Sequence, residues 1–498
     1  MVRLAAALVV AVTASTSALT LNPRHYYDNN MINRGNNINC PNRIAMSYQP
    51  PVAAPGWQYR IAANGMRKPR SIVFDNRGGL LVIDVGVGIL RLTIRNDWGT
   101  DCVVMSEPRR IISCPELSHG IALSHDGRTL YASSPNEVFS WAYDPETGNI
   151  IGPRRTVVAA LSPTDKTTRT LLSSHRMPGT LVFSRGGIYG SGNNYPSAYD
   201  TASGDAQIRA LDLSFRRGDG MPHDFRDGDV LGWGLRNPIG VAEHPNTGGI
   251  WSVESSVDDL VGGGTYGGRL NYHGVLGDGR PVAPRDGNIA PQPCHGRGDA
   301  ARIPYEASIR TATQFPGLYG TRTLSDGPCN SRYLGPRLAF APLSAPLDIK
   351  FNRDGSSAFV SFYGTGKHPR SPPGPTNFPI ASVLTSTGNR WTPSGYRIAA
   401  IPFNKHTGEP LASRDGPSAA VDILSTPSHG YRPERCFRPV GLAWDSWGRL
   451  WASSDTTGEI FVLHYSGIGS DSTRSVAAFK AAVWAVSLAA FVAAIFLA

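Results

Sequence analysis

A chain of 498 residues with 55 glycines, 39 prolines and only 17% charged residues argues against a helical bundle and against a disordered chain, and favours a loop-rich all-β protein. The balance of 48 basic against 38 acidic residues, +10, suits an anionic surface or an anionic ligand. No Lys/Arg run and no basic stripe interleaved with aromatics is present, which argues against nucleic acid.

The chain opens with Arg3, an apolar run from Leu4 to Val12 and small residues ending at Ala18, the pattern of a secretory signal peptide over 1–18. A polar, asparagine-rich lead-in follows over 19–59. From residue 69 a hairpin unit is copied: "PRSIVFDNRGGLLVID" at Pro69, "SHGIALSHDGRTLYAS" at Ser118 and "PGTLVFSRGGIYGSG" at Pro178. The copies continue with "PIGVAEHPNTGGIWSVE" at Pro238, "PLDIKFNRDGSSAFVSF" at Pro346 and "PVGLAWDSWGRLWASSD" at Pro439. Each has a starter, a short apolar strand, a glycine-containing turn and a second apolar strand. The starter is proline in five of the six, as suits a strand whose first amide need not pair. One such hairpin cannot cover both its faces, whereas six arranged in a closed ring can, so the sequence predicts a six-bladed β-propeller over 60–466. The irregular spacing of the copies implies loops of varied length between similar blades.

After the last copy comes a polar spacer (467–480) with small residues Gly469 to Ser472, then an apolar stretch from Ala481 to Ala498. This order suits a glycolipid-anchor signal, with a retained transmembrane helix as the alternative. Either reading places the globular part outside the cell, attached to its surface. Six cysteines suit that oxidising compartment, and their spacing matches no metal knuckle. Cys102 with Cys114 is the most local disulfide expected, followed by Cys294 with Cys329 and Cys40 with Cys436. No N-x-Ser/Thr acceptor is present, so N-glycosylation is not expected.

Arg70, Arg236 and Arg438 each lie within two positions of a starter proline. In a propeller such positions approach the axis at one end of the central channel. Guanidiniums gathered there repel one another unless an anion lies among them, and a planar polycarboxylate or a phosphate would suit. Local pairing with carboxylates is the other possibility.

"LGWGLRNPIGVAEHPNTGGIWSVESSVDDL" (231–260) resembles the signature of soluble quinoprotein sugar dehydrogenases, within the glucose/sorbosone dehydrogenase superfamily, and is most similar to the secreted pyranose dehydrogenases. "LSHGIALSHDGRTLYASS", "TTRTLL", "APLDIKFNRDGSSAFVSF" and "CFRPVGLAWDSWGRLWASSDTTGEIFVL" extend the likeness from about Arg60 to Leu463. The resemblance implies a six-bladed propeller that holds pyrroloquinoline quinone (PQQ) over Ca²⁺, oxidises a sugar with the help of a histidine base, and acts as a monomer. Electrons would pass to a separate acceptor such as a secreted cytochrome or a quinone. By the same resemblance Arg236 and Asn237 match the family's strongest cofactor-binding pair, and Arg70, Arg169 and Arg438 match basic residues near the cofactor. Ser256 and Val257 fall where main-chain oxygens reach calcium, with Asp258 and Asp259 beside them.

Departures from the family cluster where chemistry would occur. Lys166 stands at the position of the family's base histidine and is by that resemblance the catalytic candidate; lysine at its ordinary pKa of about 10.4 is charged at neutral pH and accepts no proton, so that role requires burial beside Arg169 to depress it. Leu343 replaces a second histidine, and Gly268 and Arg269 replace a carboxylate pair. A proline-rich insert interrupts a Ser-Trp-Asn-Arg element that Asn389 and Arg390 would restore. Two readings stay open from the sequence: a working PQQ- and calcium-dependent sugar dehydrogenase with a rearranged base, or a catalytically degenerate propeller that binds a sugar or an anion at the cell surface. A hydrolytic, lactonase-like propeller fits less well, since arginines stand at several positions where such enzymes place acidic and asparagine metal ligands.

Overall fold

The computed structural model describes residues 44–97, 102–161, 167–187, 204–214, 220–233, 235, 237–255, 267–277, 336–342, 344–364, 395–413, 419–427 and 436–467. They form six blade sheets arranged as a β-propeller, plus a small two-stranded ribbon; the blades are antiparallel except where His223–Asp224 adds parallel to Arg155–Ala159 of the second. The innermost strands are, in order, Pro69–Phe74, Ile121–Leu123, Leu171–Ser173, Pro238–Glu243, Pro346–Phe351 and Pro439–Trp444. Each touches the next, and the last touches the first, so the ring is closed. The segments expected to be a signal peptide, a polar spacer and an apolar tail lie, but for Gly467, outside the described residues, among which no helix is long and apolar enough to cross a membrane.

Closure uses both ends of the described chain. Trp57–Ala63 pairs antiparallel with Glu459–Tyr465, Trp57 opposite Tyr465, and forms the outer strand of the sixth blade. Val52–Ala53 adds in the same way to Val421–Ser425 of the fifth. A strand early in the chain thus completes the blade made last.

In five of the six blades the second strand is buried on both faces, and its period-2 alternation feeds two cores at once. In the first blade Leu80 and Val82 pack with Trp451, Ile460 and Val462 of the sixth. Leu81 and Ile83, between them in sequence, pack with Leu130, Ala132 and Trp141 of the second. Each such aliphatic side chain withdrawn from water contributes about 1.5–3 kcal/mol, so inter-blade packing carries most of the stability.

The turns between first and second strands repeat one device. Asp75 Oδ1 accepts from the amides of Arg77 (2.9 Å) and Gly79 (2.7 Å), and Asp445 Oδ1 accepts from those of Trp447 (3.0 Å) and Arg449 (2.9 Å). His244 does the same work with Nδ1, accepting from Asn246 (3.3 Å) and Thr247 (3.2 Å). Gly448 in the sixth turn has φ +77°, which an L side chain rarely adopts.

The third blade departs from the sequence reading. Pro178 does not start its inner strand; it lies in the turn after Leu171–Ser173, and Thr180–Arg185 is the second strand, Leu171 opposite Phe183. The true inner strand is only three residues long, too short to show a period. The shift brings Arg169 and Thr170 to the strand start, in step with Arg70 and Ser71 of the first blade and with His119 and Gly120 of the second.

The expected Cys102–Cys114 bridge is also overturned. Cys114 is a buried free thiol, with its Sγ 3.7 Å from Arg154 Nη1, and burial first, then Glu116, pushes it up to about 11. It follows the outer strand of the first blade, Arg109–Ser113, whereas Cys102 leads into a separate two-stranded ribbon, Ile94–Asp97 with Val103–Met105. Cys102 is disulfide-bonded, but not to Cys114. The expected Cys40–Cys436 bridge is overturned too, since Cys436 is a buried thiol in no disulfide; Cys40, Cys294 and Cys329 lie outside the described residues.

Candidate active site at the start of the inner strands

Four blades carry a serine at one equivalent position of the second strand: Ser133, Ser184, Ser361 and Ser453. Ser453 Oγ accepts from Gly441 N of its own blade (2.9 Å) and donates to the carbonyl of Arg70 in the first (2.5 Å). Ser133 Oγ accepts from Gly120 N (2.9 Å) and donates to the carbonyl of Arg169 in the third (2.6 Å). Ser361 Oγ accepts from Asp348 N (3.1 Å) and donates to Val440 of the sixth (2.6 Å). In the third blade Ser184 Oγ accepts from Thr170 N (3.1 Å), and the Thr170 hydroxyl reaches Ile239 of the fourth. Hydrogen bonds across four of the six seams therefore fix where the inner strands begin, and two of them grip the backbone of Arg70 and Arg169.

Side chains from three blades meet there. Arg70 Nη1 lies 2.8 Å from Asp455 Oδ2, with the two side chains 12% and 0% exposed. Tyr363 lies close enough to Asp455 to feel its charge, and burial followed by that carboxylate raises the pKa of its hydroxyl to about 12. Arg438 lies over the Tyr363 ring, 3.5 Å from its centroid, and 5.0 Å from that of Tyr396. Its Nε donates to the Tyr363 carbonyl (3.1 Å) and its Nη2 to that of Gly364 (2.6 Å). Such a desolvated cation–π stack is worth about 2 kcal/mol and fixes the plane of the guanidinium. Arg70 and Arg438 thus belong to one cluster, tied together by Asp455 and Tyr363.

His119 stands at the matching place in the second blade. It is 1% exposed, and its Nδ1 has no hydrogen-bond partner. Burial, then the charges of Arg70 and Lys350, hold its pKa well below the usual imidazole range, so the ring is neutral. Lys350 is itself 2.6 Å from Asp348 Oδ1, and Asp348 Oδ2 accepts from Leu442 N (2.8 Å). With both carboxylates so engaged, the three cations Arg70, Arg438 and Lys350 leave a positive excess. Asp455 Oδ1, like His119 Nδ1, is buried without a partner.

Arg169 is placed differently. Its guanidinium donates to the carbonyls of Pro135 (3.1 Å), Thr168 (3.2 Å) and Leu161 (3.0 Å) and is 1% exposed; burial, then Arg185, lowers its pKa to about 10. It fastens residues 135, 161 and 168 to one another. Asn237 is half-buried, and its Oδ1 accepts from the Thr168 hydroxyl at 3.2 Å. Arg269 forms a buried ion pair with Glu254, which also receives Asn271 Nδ2 (3.2 Å). At Gly268 a Cβ would come within 2.8 Å of the Glu254 carbonyl, so that departure from the family leaves room for tight strand packing.

Lys166, Arg236, Ser256, Val257, Asp258, Asp259, Leu343, Asn389 and Arg390 lie outside the described residues. Among the described residues no three His, Cys, Asp or Glu side chains are grouped to hold a metal ion. Sequence reasoning missed His119, Tyr363 and Asp455. Laying "SHGIAL" directly beneath "PRSIVF" is the signal available for His119, since it sets the histidine under Arg70.

The profile described as TrAA12-like matches residues 51–466. A pyrroloquinoline quinone-dependent sugar dehydrogenase of Hypocrea jecorina (strain QM6a) is 40% identical over 437 residues, covering 86% of this chain and 93% of that protein. A pyrroloquinoline quinone-dependent pyranose dehydrogenase of Coprinopsis cinerea is 31% identical over 86% of this chain, which spans 56% of that longer relative. Among solved structures, the calcium structure of a Trichoderma reesei enzyme of carbohydrate-active family AA12 aligns with a TM-score of 0.74 and 40% identity, over 86% of this chain and 100% of that one. The holo form of the pyranose dehydrogenase PQQ domain from Coprinopsis cinerea aligns with a TM-score of 0.69 and 28% identity, over 85% and 99%.

Proposed function

Because the chain belongs to the TrAA12-like family of PQQ-dependent sugar dehydrogenases, we propose that it is an extracellular PQQ- and calcium-dependent sugar dehydrogenase. It would pass electrons to a separate acceptor, act as a monomer and stay at the cell surface through its C-terminal segment. The observation that carries this reading is the cluster of Arg70, Asp455, Tyr363 and Arg438 beside a neutral His119. Its residues fit the cofactor: two oriented guanidiniums and a positive excess suit a flat polycarboxylate, and an unpartnered imidazole nitrogen suits a hydroxyl. When bound, PQQ supplies the two-electron acceptor for sugar oxidation. Arg70 and Arg438 would hold its carboxylates, aided by Arg236 and Asn237, while the carbonyls of Ser256 and Val257 would reach Ca²⁺ as hard-cation ligands.

Titration of the purified protein with PQQ and Ca²⁺, followed by quinone absorbance, tests the reading. Free pyranoses and an artificial electron acceptor are then added to read turnover. Arg438→Ala should weaken PQQ binding by about 1.5–3 kcal/mol, the value of a charge-assisted hydrogen bond. The lysine at position 166 favours a second reading, a binding protein without oxidation chemistry. PQQ binding with no acceptor reduction would select it, and absence of PQQ binding would dismiss both.

A further inference from the structure

The segment Ser118–Gly120 is clamped against residues 167–169, which directly follow Lys166. Ser118 Oγ donates to the Thr167 carbonyl at 3.0 Å. A Cβ on Gly120 would lie 2.1 Å from the Arg169 carbonyl and 2.8 Å from Leu171 Cγ, so only glycine permits this approach. Ser133 Oγ locks the same seam, accepting from Gly120 and donating to Arg169. Between these two anchored residues His119 is held at the part of the ring where the family likeness expects a proton acceptor.

His119 is buried, yet its Nδ1 meets no donor among the described residues. An orphaned nitrogen at a buried site carries a full desolvation cost unless a bound group supplies the missing bond. The charged groups around it are Arg70 of the first blade, paired with Asp455 of the sixth, and Lys350 of the fifth, paired with Asp348. Arg169, the nearest cation in sequence to the clamped seam, is turned onto three carbonyls. The imidazole therefore stands uncharged, where a lysine of ordinary basicity would stand protonated.

We propose that His119 is a catalytic residue of this site, the proton acceptor for the sugar hydroxyl, in place of the residue at position 166. The inference rests on the dehydrogenase reading. In the step, the hydroxyl O–H bond breaks and its proton passes to His119 Nδ1. The hydrogen of the adjoining C–H bond leaves with its electron pair to the quinone cofactor, and the carbon becomes a carbonyl. Positive neighbours make His119 a weaker base than free histidine but keep it unprotonated over the whole neutral range.

The test uses the full chain loaded with PQQ and Ca²⁺. His119→Asn and His119→Gln should bind PQQ within threefold of wild type by absorbance titration, yet lose at least about 100-fold in turnover of a free pyranose. Lys166→Ala should keep turnover within threefold. The wild-type kcat/KM should be flat above pH 6.5 and decline only below it, as protonation of His119 sets in. Wild-type turnover in either His119 variant would overturn the proposal, as would loss of PQQ binding in both, a 100-fold loss in Lys166→Ala, or an alkaline limb in the pH profile. A wild-type protein that binds no PQQ or turns over no sugar would instead remove the dehydrogenase reading, and this inference with it.

Discussion

Asp455→Asn isolates the element that ties the site together. The change keeps volume and shape but removes the carboxylate facing Arg70 at 2.8 Å, and leaves a nearly buried guanidinium, 12% exposed, without its counter-charge. Removing one partner of a buried ion pair costs about 3–5 kcal/mol, because the surviving charge is uncompensated. Tyr363 loses the nearby negative charge in the same step. With an unfolding entropy near 2.1 cal/mol/K per residue, a propeller of about 400 residues has roughly 0.8–0.9 kcal/mol/K in total, so the melting midpoint should fall by about 3–6 °C. Calorimetry of PQQ-free protein at pH 7 reads this directly. The double variant Arg70→Met, Asp455→Leu should be less destabilised than Asp455→Asn, since it leaves no charge behind. A single variant that melts within 1 °C of wild type, or a double variant worse than the single, would show that Arg70 does not depend on Asp455.

Ser453→Ala strands the Gly441 amide and the Arg70 carbonyl across the seam between the sixth and first blades. It should cost about 2–4 kcal/mol in denaturant unfolding, and Ser133→Ala should cost a similar amount; a loss below 0.5 kcal/mol in both would discount the serine device. His273 is fully buried with Nε2 2.7 Å from Ser252 Oγ, and burial, with Arg269 nearby, lowers its pKa to about 4. Above pH 6.5 the ring is neutral in folded and unfolded chains alike and adds no pH dependence. Between 6.5 and 4 only the unfolded chain takes up the proton, so stability drops by about 3 kcal/mol as pH falls through that window. His273→Gln should remove that share of the acid slope, and unchanged slopes in the two proteins would refute it.

Five of the six hairpins are legible in the sequence because a starter and a turn glycine bracket an apolar strand. The third is not, because Leu171–Ser173 is too short to show alternation and the proline nearby belongs to its turn. Arg70 and Arg438 can be found from their place beside starter prolines. Asp455 cannot, because what gives it meaning is a partner 385 residues away, brought close only when the ring closes. Tyr363 is similarly silent: an aromatic after an apolar strand reads as ordinary packing until Arg438 is seen above its ring. His119 escapes notice for a different reason. Its copy begins with serine rather than proline, and a histidine set among arginines does not announce whether it carries charge; here burial decides that it does not.

The pairing of Trp57–Ala63 with Glu459–Tyr465 sets a timetable for biogenesis. The first of these strands emerges early from the ribosome, and its only sheet partner is made about 400 residues later, on the order of 20–80 s at ordinary elongation rates. Throughout that interval Trp57, Tyr59 and Ile61 have no completed blade to join, and the first-made blades have an open flank where the sixth will stand. Full-length synthesis is thus the event that commits the molecule to a ring, and a chain arrested within its last blade would retain five sheets with two open edges and no assembled cluster around Arg70.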